Sequence, residues 1–349
     1  EPQRLDQVRD GLRKQHQQAG AWCAPARCAG HAGCGCSGIR FGGELELGLH
    51  RRRHKADHLT APDLEYPALY DSANNGSIKA QSRFLRTIGL EYFLLFCVSV
   101  ASATRGMSGI NPLIITLMLV VLAGFFVFKI FKRLDQDWYR CRALAESVKT
   151  STWRFSMRAH PFEDTSSIEI PKANFRNLLK DILQANRHIA ANLETSVTEQ
   201  VTDSMVEIRK LPLDQRMDYY VRNRIDNQRT WYSKKSKANK NALTFWVGAT
   251  IALYIISAIA LNAEQLGLPW ATLAFDPLIV IVTSALGWLQ MKRHGELMAS
   301  YNLTAHEIGI IRGNSESVKT EEELSDFINE AELAFSREHT QWVARRDAT

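Results

Sequence analysis

The chain has 349 residues, 45% of them hydrophobic, with a mean hydropathy of −0.21 and a net charge of +6. Those averages resemble a soluble protein, but they conceal windows of about 20 residues nearly free of charge, with charges crowded between them, as in a chain that sits partly in lipid. The basic residues gather beside the apolar windows and not along one amphipathic face, which speaks against nucleic acid as a partner and for a membrane surface.

Residues 1–62 are rich in Gly, Ala, Gln and His, carry the basic run Arg51-Arg52-Arg53-His54-Lys55 and show no sustained apolar periodicity. They read as a disordered tail or an overlong start. The chain opens on Glu1 with no signal-peptide pattern, so a fragment or an uncertain start site is expected. Cys23, Cys28, Cys34 and Cys36, with His31, lack the paired C-x2-C spacing of a strong zinc site, so zinc is the weaker reading. With Cys97 in an apolar window and Cys141 just beyond another, no disulfide framework emerges.

Residues 63–160 read as a first two-span unit. Span 1 covers residues 88–104 with Glu91 near its start, and span 2 covers residues 112–131 with Lys129 as its one charge. The segment 134–155 continues span 2 with helix formers and apolar positions at Leu134, Trp138, Cys141 and Leu144, which predicts one long helix. His160-Pro161-Phe162 ends it, because the residue before proline avoids helical geometry.

Residues 161–212 read as a helical connector with a helix over 173–193, and residues 213–349 as a second two-span unit. A helix over 213–240 feeds into span 3, residues 243–263, which carries no charge; span 4, residues 273–291, has Asp276 near its start. In lipid only a helix satisfies so long an apolar backbone from within. The connections 105–111 and 264–272 are short and bear Gly or Pro, so the spans pair as two antiparallel hairpins. A helix over 296–312 follows, and Thr320 with Glu323 forms a capping box opening a last helix with Leu324, Phe327, Ile328, Ala331 and Phe335 on one side.

The fold class is therefore an all-α integral membrane protein of two transmembrane helical hairpins, four spans in all, with long cytoplasmic helices. Of the short connections only 105–111 holds a basic residue, Arg105, whereas the other flanks hold Lys79, Arg83, Arg86, Lys129, Lys132, Arg133, Lys234, Lys235, Lys237, Lys240, Lys292 and Arg293. That asymmetry predicts a multi-pass protein of the inner (plasma) membrane with both termini cytoplasmic. Each half reads as basic helix, span, turn, span and polar helix, with Ala145-Glu146-Ser147 answered by Ala305-His306-Glu307, which suggests a duplication; convergent hairpins are the alternative.

The chain holds no Gly-rich phosphate loop, no H-E-x-x-H and no G-x-S-x-G, and His160, His188, His294, His306 and His339 are scattered. The expectation is no enzyme activity and no cofactor or metal site. Glu91 and Asp276 are candidate polar span residues that could line a conduction path; both stand near span ends, where headgroups lower the cost of a carboxylate. Small residues recur four apart, as Ser99 and Ala103, Gly248 and Ala252, and Thr283 and Gly287, and favour close helix packing. With few polar side chains per subunit, a pore requires a homo-oligomer. Trp153, Arg154, Arg229, Trp231 and Trp342 are candidate residues of the cytoplasmic helices, either stacking a nucleotide signal or, the favoured reading, packing helix on helix.

Several of these stretches carry a resemblance. They are Tyr66-Pro67-Ala68-Leu69-Tyr70 with Gln81, then Arg142-Ala143-Leu144-Ala145-Glu146-Ser147-Val148-Lys149-Thr150 with Trp153 and Arg154. Arg224-Ile225-Asp226-Asn227-Gln228-Arg229-Thr230-Trp231-Tyr232 and Ala334-Phe335-Ser336-Arg337-Glu338-His339-Thr340-Gln341-Trp342 complete the set. From Tyr66 to the end the chain resembles two fused units of the SLATT family, two-transmembrane effector domains that associate with SMODS nucleotide synthetases and SLOG-type sensors in prokaryotes. The resemblance implies a membrane effector of an anti-phage or related conflict system, with a nucleotide signal, or a synthetase or sensor partner, releasing the hairpins to perforate the membrane. The competing expectation is a non-conducting scaffold that recruits a soluble partner through its cytoplasmic helices. A transporter is less attractive, because spans 2 and 3 lack a Gly/Pro break at mid-membrane.

Overall fold

The structure is a computed structural model that describes residues 61–347 save Thr165, residues 194–198, Glu264 and Leu266, with the side chains of residues 107, 108, 191, 269 and 337–347 outside the description. The tail of residues 1–60, including Cys23, Cys28, Cys34, Cys36 and His31, lies outside the described residues. Among the described residues the regular elements are all helical.

α1 spans Ala68–Ala103 and serves two environments in one piece. Its first half buries Tyr70, Ala73, Asn74, Ser77 and Ala80 on one face, the spacing of an amphipathic helix, while its second half is span 1. A turn at Arg105–Ser108 leads to α2, Pro112–Lys132, which is span 2. Asn111 caps α2 by accepting from the Leu113 N–H at 3.0 Å, and Pro112 takes the first position, where its missing N–H costs nothing.

α2 does not run on unbroken. Arg133 adopts φ 40° and ψ 45°, a left-handed conformation that ends α2 and starts α3, Leu134–Ser156. The expectation of one long helix is corrected here: two helices meet at a single-residue break, with no proline or glycine to announce it. α3 runs back along the first half of α1, and Cys141 comes so near that a methyl on Gly76 would stand 3.5 Å from its sulfur. The same methyl would lie 2.6 Å from the carbonyl oxygen of Asn192, so glycine is required at that crossing.

α4 (Glu169–Ala185), a 3₁₀ turn at Arg187–Asn192 and α5 (Asp203–Lys210) pack against α3. Phe155, Phe162 and Phe175 meet there with ring centroids 5.1 to 5.8 Å apart, in a core that also holds Leu144, Val148, Ile189 and Met205. From Leu213 the chain is helical for 49 residues, to Leu261. This rod comprises α6 (Leu213–Tyr220), a π-helical segment (Val221–Asp226) and α7 (Asn227–Leu261), whose second half is span 3. A rod of that length is about 73 Å long, so it joins membrane to membrane-distal core without a hinge residue.

α8, Phe275–Lys292, is span 4; it ends at Arg293, where φ 46° and ψ 42° repeat the break seen at Arg133, and α9, His294–Asn314, follows. α9 runs back along the first half of α7 as α3 does along α1. α10, Glu321–Asp347, is opened by the expected capping box: Glu323 accepts from the Lys319 and Thr320 N–H groups at 2.7 and 3.0 Å, and the Thr320 hydroxyl accepts from the Glu323 N–H at 3.2 Å. Leu324, Phe327, Ile328, Ala331 and Phe335 are all buried, in a second core with Trp153, Tyr220, Ile225 and Ile308.

Among the described residues four helices are long and apolar enough to cross a membrane, and the chain is a multi-pass membrane protein. In the membrane part α2 lies against α1, α1 against α8, and α8 against α7, so the two hairpins join through α1 and α8. On α2, Leu117, Val120 and Phe131 are 64%, 61% and 81% exposed, as expected of side chains that face hydrocarbon and not a protein core.

Candidate functional site

Within the spans, the polar groups are few and mostly spoken for. Glu91 on α1 forms an ion pair with Lys129 on α2, closing the first hairpin at the end where α2 meets Arg133. Asp276 is exposed in the first turn of α8. Gly287, eleven residues further along α8, faces Tyr92, beside Glu91 on α1; that is about 16 Å of helix, so Glu91 and Asp276 stand at opposite ends of the spans. Thr116, Thr250, Ser257 and Thr283 each return their hydroxyls to a carbonyl four residues back on their own helix, at 2.7 to 3.1 Å. A hydroxyl bonded in this way has spent its proton on its own helix and keeps only its acceptor lone pairs.

Small residues let the hairpins approach. A methyl on Gly287 would lie 2.6 Å from the Tyr92 hydroxyl oxygen, so α1 and α8 approach closely there, with the tip of the Tyr92 side chain over the bare backbone. Gly248 and Gly124, by contrast, have open space around them.

Away from the spans the polar chemistry is denser. Glu332 on α10 is wholly buried and takes four hydrogen bonds: from Arg224 Nε at 2.8 Å and Nη2 at 2.7 Å, from the Tyr220 hydroxyl at 2.9 Å and from the Thr150 hydroxyl at 2.9 Å. Such a carboxylate is fully used, and this is what permits a buried charge pair. Burial by itself lowers the Arg224 pKa; the facing Glu332 reverses the sign and holds it above the usual arginine range. Burial, reinforced by Glu332, likewise holds the Tyr220 phenol well above its ordinary value. Arg224 belongs to the π-helical segment, whose extra residue per turn is a recurring feature of functional helices.

Around this pair lie further cations. Arg142 reaches Glu146 at 2.7 Å, and Lys149 approaches the Gln228 amide oxygen at 3.3 Å when that amide is turned to face it. Burial, with Arg224 and Arg142 close by and Glu146 pulling the other way, pushes the Lys149 pKa down to about 8.

The candidate tryptophans fall into separate places. Trp153 is buried, donates from its indole nitrogen to the Tyr66 hydroxyl at 3.1 Å and meets Tyr220 edge-on at 5.5 Å. Its neighbour Arg154 buries its Nε without a hydrogen-bond partner among the described residues. Trp231 packs on Tyr232 and Tyr301 with Lys235 over its ring at 5.7 Å, while Arg229 runs past Gly309 on α9. The Trp342 backbone belongs to α10, and its side chain lies outside the described residues.

The family model of SMODS and SLOG-associating 2TM effector domain 3 matches residues 67–217, and that of SMODS and SLOG-associating 2TM effector domain 1 matches residues 220–342. The chain belongs to the SLATT family. It carries two SLATT domains in tandem, each a membrane effector module with two spans. No curated protein and no solved structure matches the chain.

Seen with that division, the buried network is a joint between SLATT domains. Thr150, Trp153 and Tyr66 come from the edge and interior of the first, and Tyr220, Arg224 and Glu332 from the second. The sequence stretches around Tyr66, Arg142–Thr150 and Arg224–Tyr232 thus converge on one place in the fold. Sequence reasoning passed over Glu332, although the signal was present: a single carboxylate set between Ile328, Ala331 and Phe335 on an otherwise apolar face.

Proposed function

We propose that this tandem SLATT protein is the membrane effector of a prokaryotic conflict or anti-phage system, in which a nucleotide signal or a synthetase or sensor partner acts on the membrane-distal helices. The hairpins then repack, within a homo-oligomer, to pass ions. The observation that carries the reading is the helical rod from Leu213 to Leu261, which carries Arg224 of the buried Arg224–Glu332 joint near its start and ends as span 3. A displacement at the joint is delivered to the membrane by a stiff element, whereas α2–α3 and α8–α9 are each interrupted at one left-handed arginine. The lysines and arginines flanking the spans support a reading with both termini in the cytoplasm and the spans in the inner membrane.

A second reading is a non-conducting scaffold. It is favoured by the ion pair of Glu91 with Lys129, which uses the one carboxylate within span 1 and the one lysine within span 2 and leaves one copy few charged side chains to line a polar route. Ion flux from liposomes containing the purified chain, with and without a panel of cyclic and linear nucleotides, separates the two. Flux that appears with one nucleotide and not in empty vesicles supports the gated pore. Verified insertion with no flux, with the nucleotides and with any encoded synthetase or sensor partner added, favours the scaffold.

A further inference from the structure

At the membrane-distal end of α3 a cavity of about 170 Å³ is lined by Arg158, Arg209, Lys210, Asp164, Ser167 and Ile168. Its charge is lopsided. Arg209 is buried, and its guanidinium donates to three backbone carbonyls, those of Phe155 at 2.7 Å, Phe162 at 2.6 Å and Asp164 at 2.8 Å. Carbonyl dipoles orient a guanidinium but do not cancel its charge.

Arg158 stands in the left-handed region at φ 58°, donates from Nε to the Arg209 carbonyl at 2.8 Å, and reaches Glu321 only at 3.8 Å. Glu321 is already engaged by Arg216, a wholly buried arginine that also donates to the Met157 and Leu211 carbonyls. The Asp164 carboxylate is turned to the N–H and hydroxyl of Ser166 at 2.8 and 2.6 Å. Four cations, Arg158, Arg209, Arg216 and Lys210, therefore share two carboxylates, Glu321, which Arg216 engages closely and Arg158 only at 3.8 Å, and Asp164, which is turned to Ser166. Burial pushes the Arg209 pKa down to about 10, with Arg158 and Arg216 adding to the effect, as crowded cations require.

The cavity also borders the start of α4, whose first turn follows Ser167 and Ile168. A helix N-terminus adds partial positive charge to an anion site, although here the Glu169 N–H is taken by the Ser167 hydroxyl at 3.2 Å and Pro171 has none. We propose that this cavity binds the phosphate or diphosphate group of a soluble phosphorylated molecule, held by Arg158, Lys210 and the buried Arg209. The volume accommodates one or two phosphates, with the remainder of a larger molecule projecting to solvent.

A lipid headgroup could offer the same chemistry, but position disfavours it. α3 is 23 residues long and leads away from the end of span 2, so the cavity stands about 34 Å from the break at Arg133. Occupancy would also act across the joint. An anion at Arg158 draws that side chain from Glu321, the first residue of α10, the helix that carries Glu332. The inference rests on the cavity and not on conduction: a protein that binds phosphate and passes no ions leaves it standing.

The test is isothermal titration of the full chain in zwitterionic nanodiscs with pyrophosphate, and separately with inorganic phosphate. Arg209 stays untouched, since its removal would unfold the loop it holds; the variant is Arg158→Gln with Lys210→Gln. Binding at submillimolar pyrophosphate is expected, weakening as salt rises, and at least tenfold weaker in the double variant at an unchanged melting temperature. No binding by the folded chain at millimolar pyrophosphate, or equal binding by the double variant, would overturn the assignment. So would binding that appears only when anionic lipid is present in the disc, because it would give the cavity to a headgroup.

Discussion

Thr150 donates its hydroxyl to Glu332 across 2.9 Å, and with that bond α3 of the first SLATT domain is tied to α10 of the second. The bond matters because Glu332 is wholly buried: its four donors come from three helical segments, and each loses its acceptor if the carboxylate goes. The two domains are joined by a buried polar knot and not by apolar contact alone.

Glu332→Leu should destabilise the chain by about 3–5 kcal/mol, because it strands Arg224 as an uncompensated buried charge. Adding Arg224→Met should recover much of the loss, since an apolar pair of similar volume replaces an ion pair at little net cost. Thermal unfolding in detergent of the wild type, the single variants and the double variant closes the cycle. A double variant as unstable as Glu332→Leu would show that the pair is not a coupled unit.

Two glycines of one helix separate close approach from helix propensity. At Gly76 an added methyl meets the Asn192 carbonyl at 2.6 Å, a backbone atom that cannot swing aside, whereas at Gly89 it meets nothing within 4 Å. Gly76→Ala should therefore cost about 1–3 kcal/mol, as overpacking does. Gly89→Ala should be neutral or stabilising by about 0.5–1 kcal/mol through helix propensity. Melting temperatures of the two variants measured side by side decide it; equal shifts would remove the crossing as an explanation.

Much of this architecture was legible in the sequence and some was not, for physical reasons. Spans announce themselves because lipid disfavours charge, and the four helices long and apolar enough to cross a membrane contain the four charge-poor windows. The capping box at Thr320 and Glu323 is equally local. The break at Arg133 is invisible because Lys132-Arg133-Leu134 contains no helix breaker, and what bends the chain is the demand that α3 fold back on α1. The Arg224–Glu332 pair is a contact between residues far apart in the chain, and no spacing rule reaches it.

Lys149 gives the chain a pH dependence that can be isolated. Its pKa is lowered to about 8, chiefly by burial, with Arg224 and Arg142 lowering and Glu146 and Glu332 raising it. The unfolded chain, with a lysine near its ordinary value of about 10.4, binds more protons than the folded one between those limits, so stability from this residue rises as pH climbs from 8 toward 10. Below pH 8 the unfavourable charge is fully present. Lys149→Met should thus stabilise the protein at pH 7, and its advantage over wild type should shrink steadily above pH 8. An advantage independent of pH between 7 and 10 would mean that Lys149 titrates as a solvated lysine.

Arg133 and Arg293 occupy the same point in the two domains, each after a lysine, each at the end of a span, and each at φ near 40–46°. Each also reaches the side chain three residues on, Gln136 and Glu296, at 3.5 Å. A residue with a Cβ pays about 1–2 kcal/mol in the left-handed region, so both breaks are held against a local preference for continuous helix. Glycine removes that penalty, and Arg133→Gly with Arg293→Gly should raise the melting temperature by a few degrees; Arg133→Val with Arg293→Val should lower it, since a β-branched residue is worst there. The same pair of variants probes gating through population shift. If activation straightens the breaks so that stalk and span become one helix, the glycine chain should need more signal for the same liposome flux and the valine chain should leak without any. Identical flux from wild type, glycine and valine chains, alongside the expected shifts in melting temperature, would leave the breaks as fixed corners of the fold and place the moving part in the rod from Leu213 to Leu261.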